Sequence, residues 1–259
     1  MTSVPAFSER GTGARTLVFL HGIGGDRHAF DGDVEHFGRR ARAIAWDMPG
    51  YGESTPPEVM TIGTLADSLA RLLDARGVAR AILVGHSMGG MVAQEFVATH
   101  PERVAALVLV ATSPAFGDGS GEWQRRFLAD RLKPLDEGKT PTDFAPGLVR
   151  GIVGRDADEH GVATAIACMS RVPAPSYRAA LHALVAFDRR ASLGAIRAPT
   201  LALAAELDKV APPRVMERMA AEIPGAVYRV IFGAGHLANL ERPLEFRAAI
   251  DEFLATLPG

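Results

Sequence analysis

A serine, a histidine and an aspartate stand in segments that could bring them together as nucleophile, base and acid. Ser87 is the centre of Gly-His-Ser-Met-Gly, residues 85–89, between an apolar run at 80–85 and a helical pattern at 88–99. A sharp strand-to-helix turn with small residues two positions to either side exposes a serine hydroxyl. The pattern predicts a nucleophilic Ser87 in a strained backbone conformation. The alternative is a glycine-rich turn with an incidental serine.

His236 and Asp208 are the best-placed partners for such a serine. His236 lies in a glycine-rich stretch after the last apolar run, and Asp208 lies in the loop after the run at 200–205. The chain order serine, aspartate, histidine is typical of serine nucleophiles on parallel sheets. We expect His236 to remove the Ser87 proton while Asp208 fixes the imidazole tautomer. Glu206, closer to the end of the run, is the alternative acid.

Two main-chain amides are predicted to bind the negative charge that forms when a serine attacks a carbonyl. Met88 opens the helical pattern after the serine, and Ile23 lies in the glycine-containing loop after the apolar run at 16–20. Each such donor typically contributes about 10²–10³ in rate. The alternative is that the loop only shapes a turn.

Short apolar runs alternate with helical patterns along most of the chain. The runs are residues 16–20, 41–46, 80–85, 104–111, 200–205 and 227–232. Nearly continuous apolar character at strand length is typical of parallel strands buried on both faces. Helical patterns cover residues 61–76, 88–99 and the C-terminal segment. This alternation predicts an α/β fold with a mostly parallel central sheet flanked by helices.

Residues 114–195 interrupt the alternation. They contain no strand-like run, several prolines and short helical patterns at 122–132 and 176–187. A long structureless loop is uncommon in a compact domain, so helices are expected here. The sequence therefore predicts a core domain of residues 1–113 and 196–259, with 114–195 inserted as a helical cap.

Such a cap should contribute to a substrate pocket. The candidate pocket side chains, including the residue after the candidate base, are Trp123, Phe127, Met169, Tyr177 and Leu237. The arginines that could pair with a substrate carboxylate are Arg125, Arg126 and Arg171. The alternative is that the aromatic residues pack in the core and the arginines are solvated.

Bulk properties narrow the range of partners. The formal net charge is −2, and no run of Lys and Arg occurs, so no nucleic-acid or anionic-membrane partner is expected. The longest apolar run, 104–111, is far shorter than the roughly 20 residues that span a bilayer. Neither metal-ligand spacing nor a phosphate-binding glycine loop is present, so no metal or cofactor is predicted. Cytoplasmic location is the default expectation, and the oligomeric state stays open.

Five segments together resemble the α/β-hydrolase superfamily. They are HGIGG (21–25), DMPGYGES (47–54), GHSMGGMVAQ (85–94), PERVAALVL (101–109) and GAGHLANLERP (233–243). The third and fifth are most similar to the 3-oxoadipate enol-lactonase and carboxylesterase branch. The resemblance covers the chain outside the predicted cap. It implies an α/β-hydrolase fold and cleavage of small lactones or esters without a metal or organic cofactor.

The leading hypothesis is a serine hydrolase that cleaves a small-molecule carboxylic ester or lactone through an acyl-enzyme. A carbon–carbon bond hydrolase of ring-cleavage products is an alternative, although such relatives usually carry tryptophan where this chain has Leu237. A ligand-sensing signalling protein of the same fold is another alternative. The last alternative is an enzyme that carries out peroxide-dependent halogenation without a cofactor.

Overall fold

The computed structural model describes residues 3–117 and 121–258, in which seven strands form one sheet. The strands are β1 Phe7–Arg10, β2 Thr16–Leu20, β3 Arg42–Trp46, β4 Ala81–His86, β5 Val104–Val110, β6 Thr200–Ala205 and β7 Val227–Ile231. Their order across the sheet is β1-β3-β2-β4-β5-β6-β7. β1 pairs antiparallel with β3, and the other neighbouring strands pair in parallel. The predicted α/β fold with a mostly parallel sheet is confirmed.

Helices flank this sheet on both faces. They are α1 Asp31–Gly38, α2 Ile62–Ala75, α3 Met88–Thr99, α4 Glu122–Asp136, α5 Pro141–Ile152, α6 Glu159–Ser170, α7 Ala174–Val185, α8 Pro213–Glu222, α9 Ala238–Glu241 and α10 Pro243–Ala255. Three short 3₁₀ helices cover Arg27–Phe30, Pro101–Arg103 and Arg190–Ala195. Among the described residues, none of the helices is long and apolar enough to cross a membrane.

The central strands are buried on both faces. Every residue of β2, β4 and β6 is buried, as the continuous apolar runs predicted. Successive side chains of a strand point to opposite faces, so Leu17 and Phe19 join one apolar cluster while Val18 and Leu20 join the other. The sheet is therefore a rigid support whose strand ends can position side chains accurately.

Strand β1 is the element that the apolar runs did not predict. Its sequence is Phe-Ser-Glu-Arg, its residues are half-buried or exposed, and it lies at the sheet edge. An edge strand is partly solvated and needs no continuous apolar character. Its register is set instead by pairing with β3, where Phe7 faces Trp46.

Four helices, α4 to α7, intervene between β5 and β6, in the segment predicted to be a cap. The two ends of that segment meet, because the Phe116 amide donates to the Phe187 carbonyl at 3.2 Å and the Arg189 amide donates to the Pro114 carbonyl at 2.7 Å. The Arg189 side chain also forms an ion pair with Glu95 of α3. The chain thus leaves and rejoins the sheet at one place.

Candidate active site

Ser87 lies in a tight turn between β4 and α3. Its φ of 52° and ψ of −119° are unusual for a residue with a side chain, and such conformations cost of order 1–3 kcal/mol. A Cβ atom on Gly85 would lie 2.5 Å from the Gly89 carbonyl oxygen. A Cβ atom on Gly89 would overlap the Leu20 carbonyl oxygen of β2. Both glycines are therefore required for the turn that exposes the Ser87 hydroxyl.

Three side chains that are far apart in sequence form one hydrogen-bonded series. The Ser87 Oγ lies 3.0 Å from Nε2 of His236. Nδ1 of His236 lies 2.8 Å from Oδ2 of Asp208, and both side chains are buried. The other carboxylate oxygen of Asp208 accepts hydrogen bonds from the Val210 and Ala211 amides at 2.7 and 3.0 Å. The arrangement leaves Nε2 free to accept the serine proton when Nδ1 donates to Asp208.

The environment of Asp208 favours its charged form. Burial by itself raises the pKa of the Asp208 carboxyl. The positive charge and hydrogen bond of His236, with the two backbone amides, outweigh burial, so the pKa lies below its usual range. Asp208 is thus an anion at neutral pH and can stabilise a positively charged His236.

A buried glutamate shapes the loop that carries His236. Glu241 accepts hydrogen bonds from the amides of Gly154 and Gly235 at 2.7 Å and of Leu237 at 2.8 Å. Glu241 is 1% exposed. Two of its partners, Gly235 and Leu237, are the neighbours of His236 in sequence, and the third, Gly154, follows α5. The sequence analysis did not single out Glu241. No local signal in the sequence identifies it, because its partners come from two segments that are far apart in the chain.

His86 also contacts the His236 loop. Its Nε2 atom lies 2.7 Å from the His236 carbonyl oxygen, and the two rings have centroids 4.9 Å apart. Burial, followed by the nearby charge of His236, lowers the pKa of His86 to about 3. A neutral His86 donates this hydrogen bond through its ring N–H.

The two predicted oxyanion-binding residues lie beside the serine. Met88 is the first residue of α3, and Ile23 lines the same cavity as Ser87. A Cβ atom on Gly22 would lie 2.7 Å from the Ser87 Cβ, so the loop of Ile23 packs directly against the turn. His21 shapes this loop, with its buried ring hydrogen-bonded to the Gly22 carbonyl oxygen at 2.9 Å. Both residues therefore lie next to Ser87, as the predicted oxyanion-binding role requires.

A mostly apolar cavity opens at Ser87 and His236. Its apolar walls include Phe116, Phe127, Leu148, Met169, Leu181 and Leu184. The predicted pocket residues Phe127, Met169 and Tyr177 thus line the cavity that contains the serine. The helices between β5 and β6 supply much of the wall, so they determine which molecules fit.

Two predicted pocket residues lie outside this cavity. Trp123 is 46% exposed at the first turn of α4, where its ring stacks on Phe127 at 5.5 Å and packs against Phe116 at 4.9 Å. Trp123 therefore packs against two residues that line the cavity but does not line it itself. Leu237 lines a separate, neighbouring cavity on the other side of the Ile23 loop.

None of the three arginines proposed from the sequence lines the cavity. Arg171 is held by Asp26, with Nη2–Oδ2 and Nε–Oδ2 distances of 2.6 and 3.0 Å. Arg125 and Arg126 are exposed. The arginine that does line the cavity is Arg131, one helical turn after Phe127 on α4. Residues four apart lie on the same face of a helix, so the spacing from Phe127 to Arg131 could have identified Arg131 from the sequence.

No group of three or more His, Cys, Asp or Glu side chains within residues 3–117 and 121–258 is arranged to hold a metal ion.

Comparisons with known proteins agree with this architecture. The chain is 31% identical to a pimeloyl-[acyl-carrier protein] methyl ester esterase of Edwardsiella ictaluri over 94% of each chain. It is 28% identical to the dihydrolipoyllysine-residue acetyltransferase component of an acetoin cleaving system from Cupriavidus necator, of which it spans 66%. Other matched relatives are also longer than this chain.

Solved structures share the fold. A thermophilic esterase from Thermogutta terrifontis, with malate bound, superposes with a TM-score of 0.87 at 30% identity, covering 97% of this chain and 93% of that one. The enol-lactonase of Burkholderia xenovorans LB400 superposes with a TM-score of 0.85 at 24% identity over 96% of each chain, which shows the fold alone. The model of the alpha/beta hydrolase family matches residues 17–249. With this match and the strand-turn-helix around Ser87, the chain belongs to the alpha/beta hydrolase family.

Proposed function

We propose that the protein is a serine hydrolase that cleaves a small-molecule carboxylic ester or lactone through an acyl-enzyme. The observation that carries the proposal is the series Ser87, His236 and Asp208 at the wall of an apolar cavity. The distances of 3.0 and 2.8 Å are those of hydrogen bonds that can pass a proton from the hydroxyl to the imidazole.

The reaction follows from the positions of these groups. Ser87 attacks the carbonyl carbon as His236 takes its proton, and the Ile23 and Met88 amides bind the oxyanion. His236 then returns the proton to the departing alcohol oxygen, which leaves an acyl group on Ser87. His236 then takes a proton from water, whose oxygen attacks the acyl carbon. The bond from that carbon to Ser87 Oγ breaks, the acid leaves, and His236 returns the proton to Oγ. Asp208 stays ionised throughout and stabilises the imidazolium.

The ester or lactone is preferred to the carbon–carbon alternative on two grounds. One relative and one solved structure that are at least 30% identical to this chain are named esterases. The cavity walls are mostly apolar side chains, which suits an acyl chain. No feature of the cavity favours a ring-cleavage product in particular.

Substitution of the serine is the direct test. Ser87→Ala should lower kcat for p-nitrophenyl esters and small lactones by about 10³-fold or more, because it removes the hydroxyl that contacts Nε2 of His236. It should also abolish covalent labelling by a fluorophosphonate. Ser192→Ala is the matched control, since this serine only donates to the Arg189 carbonyl at 2.8 Å, and its kcat should equal that of the parent.

Turnover of Ser87→Ala close to that of the parent on any substrate would end the serine assignment. A panel that contains esters, lactones and ring-cleavage diketones separates the leading proposal from carbon–carbon cleavage. Single-turnover labelling without multiple turnover would instead support a ligand sensor.

A further inference from the structure

Arg131 is a permanent positive charge on the wall of an otherwise neutral cavity. It is the only Lys, Arg, Asp or Glu among the described residues that line the cavity of Ser87. A guanidinium beside apolar side chains loses hydration and gains little in return unless an anion or hydrogen-bond acceptor joins it. Arg131 is half-buried, so an anion that enters the cavity would be a favourable partner for its guanidinium.

The described part of the protein supplies no such partner. Arg131 forms no hydrogen bond or ion pair with the described residues. Its guanidinium instead lies over the Phe127 ring, with Cζ 5.5 Å from the ring centroid. Other arginines of the same segment are paired with carboxylates. These pairs are Arg171 with Asp26, Arg178 with Asp136 and Arg189 with Glu95. Arg125 and Arg126 of α4 are exposed to solvent, whereas Arg131 is half-buried and lines the cavity.

A second polar group lines the cavity within the electrostatic range of Arg131. Tyr177 of α7 is almost fully buried, and no described residue forms a hydrogen bond with its hydroxyl. Burial raises the pKa of this phenol, and the charge of Arg131 acts in the opposite direction. The hydroxyl stays protonated at neutral pH and can donate a hydrogen bond to an anion that Arg131 attracts.

We infer that the substrate is an ester or lactone that carries a free carboxylate, which Arg131 binds while the scissile carbonyl lies at Ser87. This inference rests on the proposed hydrolase function and adds the chemical class of its substrate. A guanidinium binds a carboxylate through two parallel hydrogen bonds, which suits a planar anion at the end of a chain. The apolar walls between the two groups accommodate the methylene chain that separates the carboxylate from the ester.

The test compares esters that differ only in charge. The probes are the monomethyl esters of succinate, adipate and suberate, each beside a methyl ester in which an isopropyl group replaces the free carboxylate. The parent enzyme should prefer at least one charged ester to its neutral isostere in kcat/KM. Arg131→Met should lower kcat/KM for that charged ester by about 10–100-fold, as expected for the loss of a charge-assisted pair. It should change kcat/KM for the neutral isostere by less than about threefold.

Matched variants separate this effect from damage to the fold. Arg126→Met makes the same substitution on the exposed face of the same helix and should leave both activities unchanged. Arg131→Lys keeps the charge without the planar fork and should retain part of the preference. Competitive inhibition by adipate should weaken in Arg131→Met and persist in Arg126→Met.

Two results would overturn the inference. One is a parent enzyme that prefers the neutral isostere at all three chain lengths. The other is an Arg131→Met variant that loses charged and neutral activities equally. Failure of the hydrolase proposal is distinct, because it appears as Ser87→Ala activity on the neutral esters, whatever the effect of Arg131.

Discussion

His86 takes no proton in the proposed reaction, yet it connects the serine turn to the loop of the proposed base. It precedes Ser87 in the chain, and its ring lies 2.7 Å from the His236 carbonyl oxygen. The pKa of about 3 means that the ring is neutral, so it donates this hydrogen bond at every pH at which the enzyme would work. His86 is therefore a positioning residue for His236.

Removal of this donor should slow catalysis without unfolding the protein. His86→Phe retains an aromatic ring but loses the N–H, and we expect kcat to fall by roughly fivefold to tenfold, as for one net hydrogen bond. KM for a neutral ester should change little. His86→Gln keeps a donor and should recover part of kcat. A purely structural role would instead lower the unfolding free energy of His86→Phe and leave kcat of the folded fraction intact.

Asp208 gives a second prediction at the residue scale. Asp208→Asn should lower kcat at neutral pH by about 10²–10⁴-fold, because a neutral amide no longer holds the Nδ1–H tautomer or stabilises the imidazolium. Steady-state kinetics between pH 6 and 9 would measure the loss. Glu206→Gln is the control, since Glu206 only accepts from the Gly233 amide and is exposed. A larger loss in Glu206→Gln than in Asp208→Asn would reverse the assignment of the acid.

The turn that joins β4 to α3 is held in place by contact with a neighbouring strand. Gly89 lies in the first turn of α3 against the backbone of β2, so there is no space for a side chain. The close approach of these two elements also brings the Ile23 loop, which follows β2, next to Ser87. The position of the proposed oxyanion-binding loop thus depends on a glycine that has no role in the proposed chemistry.

Gly89→Ala should destabilise the protein by roughly 1–3 kcal/mol or more, because the added methyl group overlaps backbone that cannot move freely. Urea unfolding and fluorophosphonate labelling would report the loss of stability and of the turn. Gly147→Ala is the matched control in α5, where a Cβ meets nothing within 4 Å. Alanine in a helix is favoured over glycine, so this variant should be stabilised by about 0.5–1 kcal/mol. Equal stability of the two variants would contradict the proposed contact.

At the scale of the whole molecule, two buried histidines make stability depend on pH. Burial is the largest cause that lowers the pKa of His86, to about 3, and of His21. The unfolded chain binds protons at these positions below about pH 6.5, while the folded protein does not. The stability that the neutral forms of these two histidines contribute is therefore complete above about pH 6.5, and the part from His86 is lost progressively as the pH falls towards 3.

The contribution of His86 to this pH dependence can be measured by comparing the unfolding free energies of the parent and of a His86 variant. Each unit of pKa shift corresponds to about 1.4 kcal/mol of unfolding free energy. As the pH falls below 6.5, the parent should therefore lose about 1.4 kcal/mol more per pH unit than His86→Gln. Urea midpoints at pH 7.5, 6 and 5 test this. Charges that face His86 come from His236, Asp208 and His21, and all three stay in the variant. Parallel pH curves for the two proteins would show that His86 is not the origin of the dependence.

The sequence alone determined the fold and the residues of the proposed chemistry. Apolar runs of strand length are local signals. Burial on both faces produces them in β2 to β6, and β7 was also predicted from its run although most of its residues are exposed or half-buried. The glycines around Ser87 are equally local, because a tight turn excludes side chains whatever surrounds it. β1 was not predicted because its sequence, Phe-Ser-Glu-Arg, contains no such apolar run.

Only the tertiary structure decided which side chains meet. Glu241 binds amides from two segments, and Arg131 rather than Arg171 reaches the cavity, because Asp26 holds Arg171 from a distant loop. Trp123 and Phe127 share a helix stripe, yet only Phe127 lines the cavity. Each of these outcomes depends on contacts between residues far apart in the chain. Spacing along one helix can show that residues share a face, but the packing of other helices determines what that face meets.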